Sequence, residues 1–361
     1  MASFCLGGHT LAGSQPPSCQ ADVLIVGAGI TGLSAALEAA NAGARVLVVE
    51  RSSVWGGHAV VSAGAVSIVA TPLQVKKGVQ DNSQLAAEDF RTWGEDADPD
   101  WVRYYAEHSR EQIYTWLSGL GVIFDNVIQP DGNRVPRLHQ ARGKGIGLVG
   151  PLYRACLSHP KVRFLWNTDV GQLQVQDGRV TGVGVKHLRS GQKSNLRAGA
   201  VILATGGFQS NLDMVRAFWP KHLPKPPRLL LGAGHDAIGD GHRLAQQAGA
   251  SWDRMDHQWN YALGLPDPRD PSGRRGLAAF NPASIWVSQH GKRFTNEFAG
   301  AKHSLPALLA QPGAAYWAVF DEGGKPSFKV TLAGWEDFRE LERVIFANPK
   351  LVLSAHALAG C

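Results

Sequence analysis

The sequence predicts an α/β fold, with a Rossmann-like dinucleotide-binding domain and a second, smaller unit, and three observations predict it. A G-x-G-x-x-G turn, Gly27 to Gly32, stands between an apolar run and an amphipathic stretch. A second apolar run follows and ends in a carboxylate, Glu50. A third, AVILA at 200–204, lies far downstream and is again followed by glycines. With 361 residues, two domains are the expectation.

The elements follow in order. Residues 23–26 (VLIV) are apolar throughout, as a strand buried on both faces of a parallel sheet must be. In 30–42, Leu33, Ala36, Leu37 and Ala40 fall at helical spacing, and Gly43 caps the helix end. Residues 45–50 (RVLVVE) return as a strand, and the glycine-rich stretch 55–73 reads as a loop against a ligand. Helices are expected over 82–94 and 99–120, with Ser83 and Asp98 as N-caps and Gly121 as the stop. A helix over 147–159 leads to strands at 162–166, 170–176 and 180–187. Asp177-Gly178 forms the hairpin turn between the last two, and 200–204 is the next buried strand. Proline and charge thicken over 220–227 and 266–273, and a domain change is expected near residue 255. Beyond it, 284–287 and 316–320 read as strands and 335–347 as a polar helix; residues 1–20 read as a disordered leader.

Composition excludes several classes. Hydrophobic residues at 44% and charged residues at 18% suit a packed globule, not a disordered chain. Glycine, 42 residues, exceeds its usual share of roughly 7% but has no three-residue period, so collagen is excluded. The net charge of +6 is dispersed, its densest knots being Lys76 with Lys77 and Arg274 with Arg275. A nucleic-acid binder clusters its basic residues, so nucleic acid is not an expected partner. Cys5, Cys19, Cys156 and Cys361 follow neither a disulfide framework nor a metal-ligand spacing. No run of about 18 apolar residues could span a membrane, and the first 20 residues lack the pattern of a signal peptide. The cytoplasm is the expected compartment.

The glycine turn carries chemistry because of where it stands. Gly27 permits the tight turn, Gly29 lets the backbone approach a pyrophosphate, and Gly32 lets the helix pack close to the sheet. The helix start offers unpaired N–H groups and a positive dipole end to the anion. Glu50 is placed to accept hydrogen bonds from a ribose and opposes a 2′-phosphate, which disfavours NADP.

After this unit the chain runs through a glycine loop, a helical stretch and a hairpin before the third apolar strand, unlike a simple NAD dehydrogenase. GAGITGLSAALEAANAGARVLVVE, GGHAVVSAGA, ILATGGF at 202–208, GDGHRLAQQAGA at 239–250 and GKRFTNE at 291–297 together resemble the flavoprotein family of fumarate reductase and succinate dehydrogenase. That family also contains the 3-ketosteroid dehydrogenases and tricarballylate dehydrogenase. The resemblance runs from Ala21 to about Ala310 and implies FAD, held in a glutathione-reductase-type domain over 21–255 with an inserted α+β capping domain over 256–361. It implies hydride transfer between flavin and a C–C bond beside a carbonyl or carboxylate. The substrate would be an organic acid or a ketosteroid-like molecule, and the electron acceptor is unassigned.

By this resemblance Gly27, Gly29 and Gly32 line the pyrophosphate and Glu50 the ribose. Arg51, Gly56, Gly57, His58, Ser62 and Gly64 belong to the cofactor-binding set. Val170 meets the adenine through its backbone, Thr205 and Gly206 flank the FAD, and Asp240 lies near the flavin. His58 stands where the succinate dehydrogenase branch carries flavin covalently; the alternative is a hydrogen bond beside the ring. Arg293 matches the motif arginine of the proton path, His290 takes the place of its acid, and the donor position falls on Ala301. Gln258, Trp259 and Asn260 stand where the substrate-binding histidine belongs. Arg274, Arg275 and His257 are open between a substrate grip and solvated charge. Trp252, Trp259, Tyr261 and Trp286 are open between an apolar substrate wall and core. The family's C-terminal return segment has no counterpart before Cys361, so the expectation is a fragment or degenerate gene product, with completion by a partner or loss of catalysis as the alternatives.

Overall fold

The structure, a computed structural model, describes residues 20–232, 234–331 and 338–356. Its main sheet has six strands, in the order β6-β2-β1-β9-β8-β7. Here β1 is Ala21–Val26, β2 Val46–Val49, β6 Val162–Leu165, β7 Thr168–Gln176, β8 Arg179–His187 and β9 Lys193–Leu203. Strands β6, β2, β1 and β9 run parallel, while β7, β8 and the first half of β9 form an antiparallel meander. The two-faced burial expected of β1 is present. Ile25 packs with Leu33 and Ala36 of α1 (Ile30–Asn41) and Leu152 of α6 (Lys144–Ser158). Leu24 packs on the other face with Val183, Val185 and Leu196 of the meander and Leu244 of α8 (Asp240–Gln247). Asp177 and Gly178 both adopt positive φ, 50° and 73°, which suits the tight turn joining β7 to β8.

Between β2 and α6 lies an insert. Strands β3 (Ala65–Ser67), β5 (Leu138–Ala141) and β4 (Phe124–Ile128) form a small antiparallel sheet. It carries helices α2 (Pro72–Lys76), α3 (Ser83–Gly94), α4 (Pro99–Ser109) and α5 (Trp116–Gly119). The expected N-cap Ser83 is corrected to Asn82, whose Oδ1 accepts from the Leu85 amide at 2.8 Å while its own backbone stays extended. Asp98 caps α4 as expected, accepting from the Asp100 and Trp101 amides. The single helix expected over 99–120 is interrupted by a π-helical turn at Arg110–Thr115. The stretch 55–73, expected as a loop, contains β3 and the start of α2; α6 begins at Lys144, three residues early.

The insert is organised around buried charge. The side chain of Arg137 is fully buried, at 0% exposure, and meets Asp81 at 2.7 Å and Asp89 at 2.5 Å. Arg134 completes the cluster on Asp89 and Glu88. Next to it, the buried His139 donates from Nδ1 to the Arg137 carbonyl and accepts at Nε2 from the Thr71 hydroxyl, both at 2.6 Å. Burial pushes the His139 imidazole below its ordinary pKa, against the opposing Arg137 carbonyl, so the ring sits there neutral.

Beyond α7 (Leu212–Ala217) and α8, small antiparallel pairings take over. Strands β10 (Gly264–Pro266), β11 (Gly276–Phe280) and β14 (Lys329–Thr331) form one sheet; β12 (Ile285–Val287) and β13 (Trp317–Val319) form another. Helix α9 spans Ala301–Leu309 and α10 Phe338–Leu341. The strands expected at 284–287 and 316–320 appear as β12 and β13. Helices α8 and α9 and strands β4, β5, β10, β11 and β14 were not legible, being short or polar. The leader up to residue 19 and positions 335–337 of the expected polar helix lie outside the described residues. Among the described residues no helix is long and apolar enough to cross a membrane.

Candidate functional site

At the C-terminal ends of β1, β2 and β9 the glycines have separable roles. Gly27 has φ 110°, and a Cβ there would strike the Ala204 carbonyl at the end of β9. A Cβ on Gly32 would strike the Gly27 carbonyl. Both are glycine because the protein's own backbone fills the space. Gly29 differs: its φ of −74° suits any residue, and nothing lies within 4 Å of where its Cβ would be. That open space at the uncapped start of α1 is what an approaching diphosphate requires. Gly206, with φ 74°, likewise faces open space at the end of β9. Thr205 beside it is packed against Gly241 of α8. The residues therefore fit a dinucleotide.

Glu50 is nearly buried, and its carboxylate accepts from the Ala28 amide at 2.7 Å and the Ser52 amide at 2.8 Å. It braces the glycine turn, and each oxygen keeps a second acceptor lobe for a ribose hydroxyl. Arg51 reaches from the same place to Asp240 at 2.9 Å, with Asp236 and Asp169 at 3.6 and 3.8 Å. Asp240 opens α8 and also meets Arg243. Val170 is near this edge because the Thr168 amide donates to the Glu50 carbonyl. Its side chain is core, and it pairs with Val185 just before a register shift.

The 56–64 segment closes a further side. The Gly56 amide donates to the Ala28 carbonyl at 2.8 Å, and Gly57, with φ 54°, comes up against the Gly29 Cα. The hydroxyl of Ser62 donates to the Ala59 carbonyl and accepts from the Gly64 amide, and Gly64 packs on the Lys144 backbone. Ser62 and Gly64 thus shape the segment itself. His58 Nδ1 accepts from the Gly234 amide at 3.3 Å, and burial lowers the imidazole pKa.

The catalytic candidates sit in the later, antiparallel part. Arg293 is 53% exposed and grips Glu297 through two bonds, of 3.1 and 2.6 Å. Burial pushes the Glu297 carboxyl up, but Arg293 and the Trp286 amide outweigh it and hold it below the ordinary carboxylate value. His290 is exposed in the turn after β12. Ala301 begins α9, and its neighbour Lys302 is turned to Glu95. Gln258 donates to the Val215 and Phe218 carbonyls, a structural role. Of the four aromatics considered for a substrate wall, Trp286 is buried and stacks on Tyr316, Trp252 packs on Phe218, and Trp259 and Tyr261 are exposed.

One feature was missed by the sequence reading, a cavity of about 710 Å³ between the 266–275 loop and residues 210 and 235. Its wall is polar. The buried Asp267 binds Arg269 in a fork, with both bonds at 3.0 Å, and meets Arg275 at 3.5 Å. The Arg269 guanidinium holds the Asp267 carboxyl below its usual range. Asp270 accepts from the amides of Ser272, Arg274 and Arg275, which fixes the loop. The exposed Arg274 side chain has no ion pair among the described residues. Ser210 on the cavity wall donates to the Gly234 carbonyl, while the Gly234 amide holds His58. The alternation of Asp and Arg over 267–275 was the available signal.

Comparison with known proteins agrees with this geometry. Residues 22–343 match the family described as FAD binding domain. A KsdD-like steroid dehydrogenase of Mycobacterium tuberculosis is 35% identical over 331 residues, covering 81% of this chain and 58% of that relative. The fumarate reductase (cytochrome) of Shewanella frigidimarina is 31% identical over 320 residues, covering 87% and 54%. The chain thus spans little more than half the length of these relatives. The open conformation of a flavocytochrome c3 fumarate reductase superposes with a TM-score of 0.69 at 29% identity, over 85% of this chain and 54% of that one. The 3-ketosteroid-delta4-(5alpha)-dehydrogenase of Rhodococcus jostii RHA1 does so with 0.67 at 25%, over 96% and 77%. The chain belongs to the FAD binding domain family, and its cofactor is FAD.

Proposed function

We propose that the chain is the cofactor-binding and substrate-facing part of an oxidoreductase that moves hydride between FAD and a C–C bond next to a carbonyl or carboxylate. FAD supplies the hydride acceptor or donor; the chain's residues bind, orient and handle protons. Gly234 carries the reading. Its two polar groups tie His58, beside the glycine cradle, to Ser210 on the polar cavity, so cofactor and substrate spaces adjoin. The names of the relatives, fumarate reductase and steroid dehydrogenase, point the same way. In this reading residues 21–255 hold the cofactor and 256–361 face the substrate, with Gly27, Gly29, Gly32 and Gly206 at the diphosphate and Glu50 at the ribose. His290 and Arg293, the latter through the Glu297 carboxylate that it grips, are assigned to the proton path.

The cavity wall favours an organic acid over a ketosteroid. Asp267 neutralises much of the Arg269 and Arg275 charge, whereas Arg274 has no ion pair among the described residues and is available to a carboxylate. A fused ring system would need apolar walls. Ala301 at the donor position supports a second reading, a flavin-binding protein without turnover. Anaerobic addition of saturated acids and of a 3-ketosteroid to the yellow protein separates the two. Bleaching by an acid is the expected result, bleaching by the steroid alone overturns the substrate class, and no bleaching by any saturated substrate, with no reoxidation of reduced protein by unsaturated ones, favours the second.

We also assign His58 to a hydrogen bond and not to a covalent link. The Gly234 backbone N–H engages the Nδ1 lone pair and the proton of the neutral ring is then on Nε2, so neither ring nitrogen presents a free lone pair for a covalent bond. Acid precipitation is therefore expected to leave flavin in the supernatant; flavin retained in the pellet would refute the assignment.

A further inference from the structure

The turn at 93–96, between α3 and α4, is gripped from two distant places in the chain. Lys302, at the start of α9, donates to the Trp93 carbonyl, meets Glu95 at 2.6 Å and lies 4.7 Å over the Trp93 ring. Arg254 donates to the Asp96 carbonyl at 2.9 Å and pairs with its carboxylate, while His257 Nε2 lies 3.6 Å from the same carboxylate. Gly300 packs against Asp131 of the insert, where a side chain would collide, so a glycine lets the two parts approach closely. Both sides carry backbone strain. Glu95 adopts φ 58°, ψ −93°, and Arg254 φ 54°, conformations that side-chain-bearing residues avoid.

Among the described residues the joint has charge but no core. The buried apolar clusters that include residues of the 68–141 insert contain nothing beyond residue 204. Glu95, Asp96, Lys302 and Arg254 are all substantially exposed. Exposed pairs are individually weak and salt-screened, so this contact is made to be reversible, unlike the buried Arg137 cluster in the same insert.

We propose that the 93–96 turn is an ionic catch for the C-terminal unit: engaged, it holds the 254–257 and 300–302 segments against the insert; released, it lets that unit swing. The catch is independent of flavin chemistry. Its consequence, control of access to the cavity beside Gly234, rests on the function proposed above.

Hydrogen exchange on the full chain, without substrate, tests the catch separately from turnover. In Glu95→Lys or Lys302→Glu, exchange of peptides spanning 250–262 and 298–310 should rise about fivefold, the equivalent of one good exposed pair. Salt at about 0.5 M should do the same to the unaltered protein. The double variant, with the charges exchanged, should return both peptides toward the original rate. Unchanged exchange in the single variants, or no recovery in the double, overturns the proposal. So does an equal rise in β1 and β2, which would mean general loosening. If the catch passes and no substrate bleaches the flavin, the function fails and the catch stands.

Discussion

Gly29→Ala is expected to weaken flavin binding while keeping its stability, and Gly32→Ala is expected to weaken both. The difference follows from what each missing Cβ would meet. At Gly29 the backbone is extended and the space is empty, so a methyl group strains nothing in the protein but stands in the path of the diphosphate. A weakening of FAD binding by at least about tenfold, or 1.4 kcal/mol, is expected, with the unfolding midpoint of the flavin-free protein unchanged. At Gly32 the Cβ would overlap the Gly27 carbonyl, so α1 must move away from the turn before any cofactor arrives. Overpacking of this kind costs about 1–3 kcal/mol. Flavin titration by fluorescence quenching, paired with thermal unfolding of the flavin-free forms, checks both. Equal flavin affinity in Gly29→Ala and the unaltered chain would remove the cradle from its assigned place.

The largest loss of stability is expected from Asp89→Ala. Asp89 accepts from Arg137 and from Arg134, and the Arg137 side chain has no access to water. Removing the carboxylate leaves a buried guanidinium with Asp81 as its remaining ion partner, a change that costs about 3–5 kcal/mol. Against a total stability of about 5–15 kcal/mol this is severe. Asp100→Ala breaks the exposed pair with Arg103 and should leave the midpoint where it was. Denaturant unfolding followed by tryptophan fluorescence distinguishes these outcomes, and a cost near 1 kcal/mol or less for Asp89→Ala would sink the argument.

Acid should show the same cluster. Burial raises the Asp89 carboxyl, but the Arg137 and Arg134 hydrogen bonds outweigh it, and the folded pKa lies below the ordinary value. A depressed carboxylate contributes stability that is present above its unfolded pKa of about 3.9 and is lost as pH falls through the folded value. The unaltered protein should therefore lose more stability on acidification through that range than Asp89→Ala does.

The cofactor half was legible because its causes are local. A strand, a turn that only glycine permits, an amphipathic helix and a terminal carboxylate all fall within 21–50, and each is set by dihedral preference or periodicity over a few residues. The Arg293–Glu297 pair was within reach of the same reading, since four residues is one helical or turn contact, yet the motif drew attention to the arginine alone. The 138–141 strand gave no such signal. His139 is held by Thr71, 68 positions away, and Arg137 by Asp89, 48 positions away. The expected N-cap at Ser83 missed by one residue because Asn82 and Ser83 have similar local preferences, and in the fold it is Asn82 whose backbone is extended and whose Oδ1 accepts from the Leu85 amide.

Residue order alone predicted a dinucleotide at a glycine turn with Glu50 at the end of the following strand, since backbone freedom and hydrophobic period act between near neighbours; that Glu50 braces the turn through the Ala28 and Ser52 amides emerged only in the fold. Only the folded molecule decided which groups remain available. Arg293 is committed to Glu297, Lys302 to Glu95 and Gln258 to carbonyls of a distant helix, while Gly29 and Gly206 are left facing open space. The reason is that hydrogen bonds and ion pairs act over a few ångströms of space whatever the distance along the chain, so a side chain's partner is set by packing.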